Sequence, residues 1–454
     1  MTRVLVAGLC PFPWEDAGRN YGPGVRTWQF AWSLARAGHA VRLLAQPIPG
    51  AYAIPPAREE ERDGVRILRV LPTEIEDPAF VRREVVAWDA EAVVGATIYG
   101  AVALARCDLE LPFWADQFGH VMAEAQAKAA IEGANWPLAY FWRMARAVDL
   151  GADHFSVVSE RQRYALIGEL GALGRLNAET CGYEFASVIP CAAAPELPTP
   201  PAGRLLRGRR IPEDAFVVLW SGGFNVWSDV ETLFAGVDRA MSENDRVHFV
   251  STGGGIVGQD EETYERFRCL VAGSAHASRY LLEGWVSQSL VPAYTAEADL
   301  GVVTDRPMYE GLLGSKNRVL QWMNAGLAVA YNRWGDVGDL VATPGLGLSF
   351  EVGDSEGLCS RIVWAAQHPS ELAEIVRRAE EEVAARYTFE ATARSLVEWS
   401  ADPRPAPDRE WRGRIRSPDD FGEPRQVLVS AVKRVPFLAR LPAARWAWRW
   451  MTRS

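Results

Sequence analysis

The feature that most constrains the fold is a repeated alternation of short apolar runs and longer amphipathic segments over the first 400 residues. A continuous apolar run such as residues 4–8 is typical of a strand buried in a parallel sheet. Residues 25–37 show helical periodicity, and residues 41–45 return to the strand pattern, which completes a β-α-β unit. We predict further strands at residues 65–70, 92–95, 111–115 and 154–158, and helices at residues 124–132 and 135–150.

The alternation restarts after a proline-rich segment. Five prolines lie between positions 195 and 212, so we predict a linker at residues 196–212. The pattern therefore predicts an α/β protein with two doubly wound Rossmann-like domains, residues 1–195 and 213–400, that face a central cleft. Ligands of such sheets bind at the carboxyl ends of the strands. In the second half we predict strands at 216–221, 247–252, 280–282, 300–303, 328–331 and 348–350, and helices at 229–241 and 264–272.

Composition excludes several classes of protein. Of the 454 residues, 48% are hydrophobic and 23% are charged, as expected for packed globular domains. A net charge of −10 argues against nucleic acid as a partner. Six scattered cysteines and six scattered histidines predict a cytoplasmic protein without a metal site. No run approaches the ~18 apolar residues of a membrane span, and the start of the chain is typical of a strand rather than a signal peptide.

Residues 401–454 combine a linker rich in proline and arginine with a basic, tryptophan-rich tail. Beyond Glu423 the chain carries no acidic residue. Cations interleaved with tryptophan suit an anionic membrane surface, at ~1 kcal/mol per cation. We predict that residues 425–454 hold the protein peripherally at the inner face of the plasma membrane. The alternative is a tail helix that packs back across the acidic first domain.

Glycine turns follow two strands of the second half. Gly222 and Gly223 come after the 216–221 strand, and Gly253 and Gly254 after the next. Glycine lets a ligand approach the backbone, and a helix that begins after such a turn suits phosphate. Ser228-x-x-Glu231 predicts the start of that helix through a capping box. Trp285 and Val286 follow a further strand and are candidates for the lining of a base pocket.

Residues 310–326 place an acid, a turn, two cations and an apolar run in that order. The run from Val319 predicts a helix, with Ser315 and Asn317 as candidate caps. Lys316 and Arg318 then lie near the positive end of the helix, which predicts an anion site suited to a diphosphate. The alternative is a solvated helix start with ordinary surface cations.

These motifs resemble those of GT-B glycosyltransferases, close to the large family 4 of retaining enzymes. The resemblance covers residues 3–400. In the first domain, residues 22–26 resemble the family's opening glycine loop, and residues 34–41 resemble the end of the helix that follows it. In the second domain, Glu283–Val286, Tyr294 and residues 298–302 resemble the family's base-binding region. Residues 318–326 resemble the family's K-x-x-E-Y-x-A-x-G segment. The family usually has cations after the glycine turn of the second domain, where this chain has FNVWSD. Gln321 and Leu313 stand where the family's two glutamates are expected.

The resemblance implies roles for individual residues. Lys316 and Arg318 would supply the missing charge on the diphosphate, and Glu310 is either a displaced sugar-contacting acid or a loop residue. Asp116, at a strand end, would orient the acceptor hydroxyl, with a helix cap as the alternative. His120 would bind the transferred sugar, with a packing role as the alternative. Gly22, Gly24 and Arg26 would lie near the diphosphate.

The resemblance further implies transfer of a sugar from a nucleotide-diphosphate sugar to an acceptor hydroxyl, with retention and without a metal or other cofactor. The first domain would bind a sugar or lipid-linked acceptor, and the second the donor. Synthesis of cell-surface polysaccharide, glycolipid or a secondary metabolite would use such an enzyme. Two alternatives stay open from the residues: a sugar-nucleotide epimerase, and a non-catalytic scaffold protein of this fold.

Overall fold

The computed structural model describes residues 1–15, 17–18, 21–195, 203–256 and 259–412, which form two α/β domains. The predicted membrane tail at residues 425–454 and residues 196–202 of the predicted linker lie outside the described residues. Within the described ranges, each helix is too short or too polar to cross a bilayer.

The first domain is built on an eight-stranded sheet in the order β3-β4-β2-β1-β5-β6-β7-β8. Only β3 runs antiparallel to its neighbour. Alternate residues of β1 enter opposite cores, Leu5 and Ala7 on one face and Val4 and Val6 on the other. Helices cover both faces, as a continuous apolar strand requires. The strands are β1 (Arg3–Cys10), β2 (Ala40–Pro47), β3 (Glu59–Arg62), β4 (Val65–Arg69), β5 (Ala92–Gly95), β6 (Phe113–Gln117), β7 (His154–Val157) and β8 (Ala186–Val188).

In the described part of the first domain, seven helices connect these strands, of which three were predicted, at residues 25–37, 124–132 and 135–150. The helix predicted at residues 25–37 begins three residues earlier because Pro23 is suited to the first turn. The helices are α1 (Gly22–Arg36), α2 (Pro72–Ile75), α3 (Pro78–Ala87), α4 (Thr97–Ala105), α5 (Val121–Glu132), α6 (Trp136–Gly151) and α7 (Glu160–Ala172).

The second domain repeats the plan with a six-stranded parallel sheet in the order β11-β10-β9-β12-β13-β14. Its strands are β9 (Phe216–Ser221), β10 (Val247–Thr252), β11 (Tyr280–Leu282), β12 (Leu300–Val303), β13 (Ala328–Asn332) and β14 (Leu348–Phe350). Its helices are α8 (Val230–Glu243), α9 (Glu262–Ala272), α10 (Val291–Ala296), α11 (Tyr309–Leu313), α12 (Asn317–Asn324), α13 (Gly335–Ala342), α14 (Ser355–Gln367) and α15 (Pro369–Arg386), with short 3₁₀ turns at Ala277–Arg279 and Gln288–Leu290. The predicted fold class is confirmed.

The start of α8 differs from the prediction. Asp229 is the N-cap, because its carboxylate accepts a hydrogen bond from the backbone N–H of Thr232 at 3.1 Å. Ser228 instead accepts from the backbone N–H of Asn225 at 3.2 Å, which closes the preceding turn. The predicted capping box at Ser228 is therefore wrong by one residue.

After α15 the chain returns to the first domain. Helices α16 (Phe389–Thr392) and α17 (Arg394–Ala401) pack on α1, and α18 (Arg409–Arg412) follows. Phe389 lies in the core of the first domain. Asp408 pairs with Arg175 at 2.8 Å, and both side chains are fully buried. Residues 389–412 therefore pack with the first domain, although we predicted a domain boundary at residue 400.

Candidate functional site

The two sheets direct the carboxyl ends of their strands toward a common cleft, which is bridged by direct hydrogen bonds. The Ser159 hydroxyl donates to the backbone oxygen of Leu313 at 2.7 Å. The Gln288 amide donates to the backbone oxygen of Pro13 at 2.8 Å. Arg161 at the start of α7 pairs with Asp336 and, at 2.7 Å, with Asp339 on α13. Loops and helix starts that follow β1, β7, β11, β12 and β13 thus meet across the cleft.

Two glycine turns of the second domain pack directly on each other. A Cβ atom at Gly253 would lie 1.8 Å from the backbone oxygen of Gly222, so only glycine fits there. Gly222 has a φ of +101° and presents its backbone to the guanidinium of Arg318, 3.0 Å from a built Cβ position. The arrangement brings a cation to the glycine turn from a distant part of the sequence.

Arg318 is held with part of its hydrogen-bonding capacity unused. Its Nη2 donates to the backbone oxygen of Gly223 at 3.3 Å, and the guanidinium lies over the Trp220 ring at 5.1 Å. Its Nη1 is buried and has no hydrogen-bond partner among the described residues. Burial lowers the pKa of Arg318, because desolvation disfavours the charged form. A buried guanidinium with a free donor is suited to an anionic ligand.

Lys316 lies close to two carboxylates. Its ammonium is 3.1 Å from Asp305 and 3.5 Å from Glu310. Burial alone would lower the pKa of Lys316, but Asp305 and Glu310 outweigh it and the pKa is raised. The side chain therefore stays charged at neutral pH. Burial raises the pKa of Glu310, against the lowering effect of Lys316.

Asp305 and Trp227 complete this cluster and escaped the sequence analysis. The Tyr331 hydroxyl donates to Asp305 at 2.5 Å, and Asp305 is almost fully buried. The ammonium of Lys316 lies 5.6 Å from the centre of the Trp227 ring. The available signal for Asp305 was its position two residues after β12, where ligand residues of parallel sheets lie.

The N-termini of α1 and α12 meet at the same place. A Cβ atom at Gly22 would lie 3.0 Å from the side-chain amide of Asn317. Neither Ser315 nor Asn317 caps α12, which begins without a side-chain cap. Two positive helix ends, Lys316 and Arg318 therefore converge between the domains. Gly24 is required for this approach, because a Cβ there would lie 1.8 Å from the backbone oxygen of Pro11.

Arg26 and Asp116 are buried against each other, which disfavours the roles predicted for both. Arg26 donates to both carboxylate oxygens of Asp116, at 3.0 and 2.7 Å, and both side chains are fully buried. Asp116 also accepts from the Ser156 hydroxyl at 2.7 Å and from the backbone N–H of Thr97 at 3.2 Å. Arg26 therefore neutralises Asp116 inside the first domain, and neither side chain is free to contact a substrate.

His120 caps a helix, which is a structural role but not the packing role that the sequence analysis gave as its alternative. Its Nδ1 accepts from the backbone N–H of Ala123 at 3.1 Å, so His120 is the N-cap of α5. Its Nε2 lies 3.4 Å from Glu169. The helix cap that we considered for Asp116 thus belongs to His120. Both ring nitrogens already have partners, which disfavours the predicted contact with the transferred sugar.

The predicted base-pocket residues lie beside the glycine turns. The Trp285 indole donates to the backbone oxygen of Gly255 at 2.8 Å, and the residue keeps 37% of its surface exposed. Built Cβ atoms at Gly223 and Gly254 would lie 3.4 and 3.6 Å from its ring. Val286 packs against the buried core of the second domain. A flat aromatic surface next to the Gly222–Arg318 turn is suited to a nucleobase.

The described residues contain no group of three or more metal-ligating side chains. The prediction that no metal is needed stays a prediction.

Comparison with known proteins gives matches in structure alone. No protein-family model and no curated protein matches the sequence. Sucrose-phosphate synthase from Thermosynechococcus elongatus has a TM-score of 0.66 at 17% identity, over 88% of this chain and 98% of that chain. HepE of Anabaena in complex with UDP-glucose has a TM-score of 0.59 at 14% identity, over 88% and 100%. A glycosyltransferase from Rickettsia africae has 0.59 at 12%, over 88% and 98%. The chain therefore has the GT-B fold.

Proposed function

We propose that this chain is a glycosyltransferase that moves a sugar from a nucleotide-diphosphate sugar to an acceptor hydroxyl. The observation that carries the proposal is the convergence of Lys316, Arg318 and two helix N-termini on one spot of the cleft. The free Nη1 of Arg318 supports a ligand with phosphate-type oxygens at this spot.

The charges at the site match the needs of the leaving group. Two cations and two helix ends of about +0.5 each supply about +3, and the carboxylates of Asp305 and Glu310 offset up to about two units, which leaves the site positive. A departing nucleoside diphosphate gains negative charge as the glycosidic bond breaks, so this field stabilises the transition state more than the ground state. The same groups take the part that a metal ion plays elsewhere, which supports transfer without a metal.

The stereochemical proposal is retention of configuration. We infer it from the resemblance to family 4, in which the leaving phosphate acts as the base on the same face of the sugar. The burial of Asp116 with Arg26 supports this inference, since that carboxylate is unavailable as a nucleophile. Glu310, beside Lys316, is the candidate that would contact the transferred sugar. Contacts such as Ser159 with Leu313 would hold the closed cleft and exclude water.

The donor to test first is a uridine diphosphate sugar. HepE, which shares the fold, was solved with UDP-glucose and with UDP. Trp285 beside the glycine turns would stack on the base. The acceptor would be a sugar or a lipid-linked sugar held by the first domain, in the synthesis of polysaccharide, glycolipid or a secondary metabolite. Residues 425–454 would add a peripheral contact with an anionic membrane.

The test is incubation of the full chain with a panel of nucleotide sugars and a lipid extract, with product analysis by mass spectrometry. Transfer of the sugar supports the proposal. Epimerisation of the donor without an acceptor would support a sugar-nucleotide epimerase instead. The absence of nucleotide binding in calorimetry would support a scaffold protein. Lys316→Ala is expected to weaken UDP binding more than uridine binding, and equal losses would refute a phosphate contact.

A further inference from the structure

One side of α6 presents large aromatic side chains to solvent. Trp136, Tyr140 and Trp142 are 66%, 51% and 55% exposed. Arg143 and Arg146 are exposed on the same side. We call these five residues the aromatic–basic face. Single exposed apolar residues are common on protein surfaces, whereas a contiguous apolar patch marks an interaction site.

Helical spacing places the five side chains on one surface. Trp136, Tyr140 and Arg143 recur at i, i+4 and i+7, and Trp142 and Arg146 at i and i+4. The Arg146 guanidinium lies 6.0 Å from the centre of the Trp142 ring. The opposite side of α6 carries Phe141, Met144 and Val148, which are buried in the domain core. These buried residues fix the helix to the domain. The exposed aromatic side chains are therefore not needed to hold the helix in place.

The charge of this face is opposite to that of the chain as a whole. The sequence has a net charge of −10, but Asp149 is the one acidic residue within α6, and it is 2% exposed. No described carboxylate forms a salt bridge with Arg143 or Arg146. The neighbouring acids belong to α5: Glu124 is paired with Lys128 at 2.7 Å, and Glu132 lies exposed at the end of that helix. Arginines beside tryptophan and tyrosine suit the headgroup region of an anionic bilayer.

Helix α6 is connected to the cleft through the helices that it packs on. Helix α6 packs on both α4 and α5, and α5 packs on α11, which carries Glu310. Tyr99 on α4 is 39% exposed and extends the aromatic surface from α6 toward the strand ends. A surface in contact with the aromatic–basic face would therefore lie beside the opening through which an acceptor reaches Glu310 and Lys316.

We propose that the aromatic–basic face lies on an anionic membrane and presents the cleft to an acceptor that is anchored in the bilayer. The inference rests on the proposed function and narrows its acceptor to the lipid-linked class.

The test measures partition of the full chain onto phosphatidylglycerol-containing vesicles and onto phosphatidylcholine vesicles by co-sedimentation. Arg143→Ala with Arg146→Ala is expected to lower partition onto the anionic vesicles about 30-fold, roughly fivefold per cation. Trp136→Ala with Trp142→Ala is expected to lower partition at least about tenfold. The control is Tyr164→Ala with Arg361→Ala, an exposed aromatic and an exposed cation elsewhere. Oxidative footprinting should show that anionic vesicles protect Trp136 and Trp142.

Unchanged partition of both double variants, or footprinting without protection of the two tryptophans, would overturn the proposal. So would a shift of the variants from dimer to monomer in ultracentrifugation with partition unchanged, since the face would then join two copies of the chain. UDP binding by calorimetry separates the two ideas. The variants should bind UDP as the parent does. If the parent binds no nucleotide, the proposed function is refuted, but the vesicle experiment still tests membrane binding by the aromatic–basic face.

Discussion

Replacement of Arg318 by alanine should weaken nucleotide-diphosphate binding and leave the free protein nearly as stable as before. In the free protein Arg318 has a buried Nη1 without a partner, and such a donor costs ~1–3 kcal/mol. Alanine removes that cost, but it also removes the contact with the Trp220 ring, which is worth ~0.5–2 kcal/mol, and the hydrogen bond to Gly223, which is worth ~1 kcal/mol. The two effects oppose each other, so the free energy of unfolding should change by less than ~1 kcal/mol.

The effect on binding should be much larger. A hydrogen bond between a guanidinium and a phosphate oxygen contributes ~1.5–3 kcal/mol, which corresponds to roughly a 10- to 150-fold increase in the Kd for UDP. Uridine lacks the phosphates and should bind both proteins alike. Arg318→Lys should recover part of the loss, because the charge is kept and the two-pronged geometry is not.

Calorimetry with UDP and uridine at one salt concentration measures this difference. Thermal unfolding gives a second readout. UDP at 100 times its Kd stabilises the parent by ~2.7 kcal/mol, whereas after a 100-fold loss of affinity the same concentration gives ~0.4 kcal/mol. Arg239→Ala is the matched control, since Arg239 lies on the outer surface of α8. Equal losses for UDP and uridine, or a destabilised free protein with intact UDP binding, would contradict the reasoning.

Three further predictions concern other parts of the molecule. Asp116→Ala should destabilise the protein by ~3–5 kcal/mol in urea unfolding, because it leaves Arg26 charged and buried, and Arg26→Leu in the same chain should restore much of the loss; additive losses would argue against the pair. Burial lowers the pKa of His154 to about 4, so the unfolded chain binds the extra proton first as pH falls below 6.5. The protein should lose about 2 kcal/mol between pH 7 and pH 5, and His154→Gln should flatten that change. Arg161→Ala should open the cleft by removing the pairs with Asp336, measured as a larger radius of gyration in X-ray scattering; an unchanged radius would exclude that contact as a closure element.

Most strands were predictable from the sequence because they are buried on both faces, whereas the exposed edge strand β3 and the short strand β8 were not predicted. The boundaries of β9, β10 and β12 agree with the prediction at both ends, since an apolar run in a parallel sheet begins and ends where burial does. Lys316 and Arg318 were also located correctly near the start of a helix in the cleft. Their position was predictable because the start of the helix and the two cations are only a few residues apart in the sequence.

The pairing of buried polar groups was not predictable. Asp116 ends a strand, and this position is compatible both with a cleft residue and with a partner for Arg26, which is 90 positions away. The approach of Arg318 to Gly222 was expected only through the family resemblance, which implied that Arg318 supplies the missing charge. The sequence around the glycine turn lacks a cation, and the missing charge comes from a segment that only the folded sheet brings close. A single sequence does not record such long-range pairs.

The return of the chain after α15 has a consequence for how the two domains move. The backbone passes between them near Ala193 and again near Tyr387, and the N–H of Ala193 donates to the oxygen of Tyr387 at 2.8 Å. The two crossings therefore lie side by side and share one pivot. Rotation about that pivot moves atoms at the opposite opening furthest and atoms at the pivot least, while the pivot residues absorb the change in backbone dihedral angles. Substrate entry and product exit would thus depend on a few dihedral angles at a point remote from the reacting atoms.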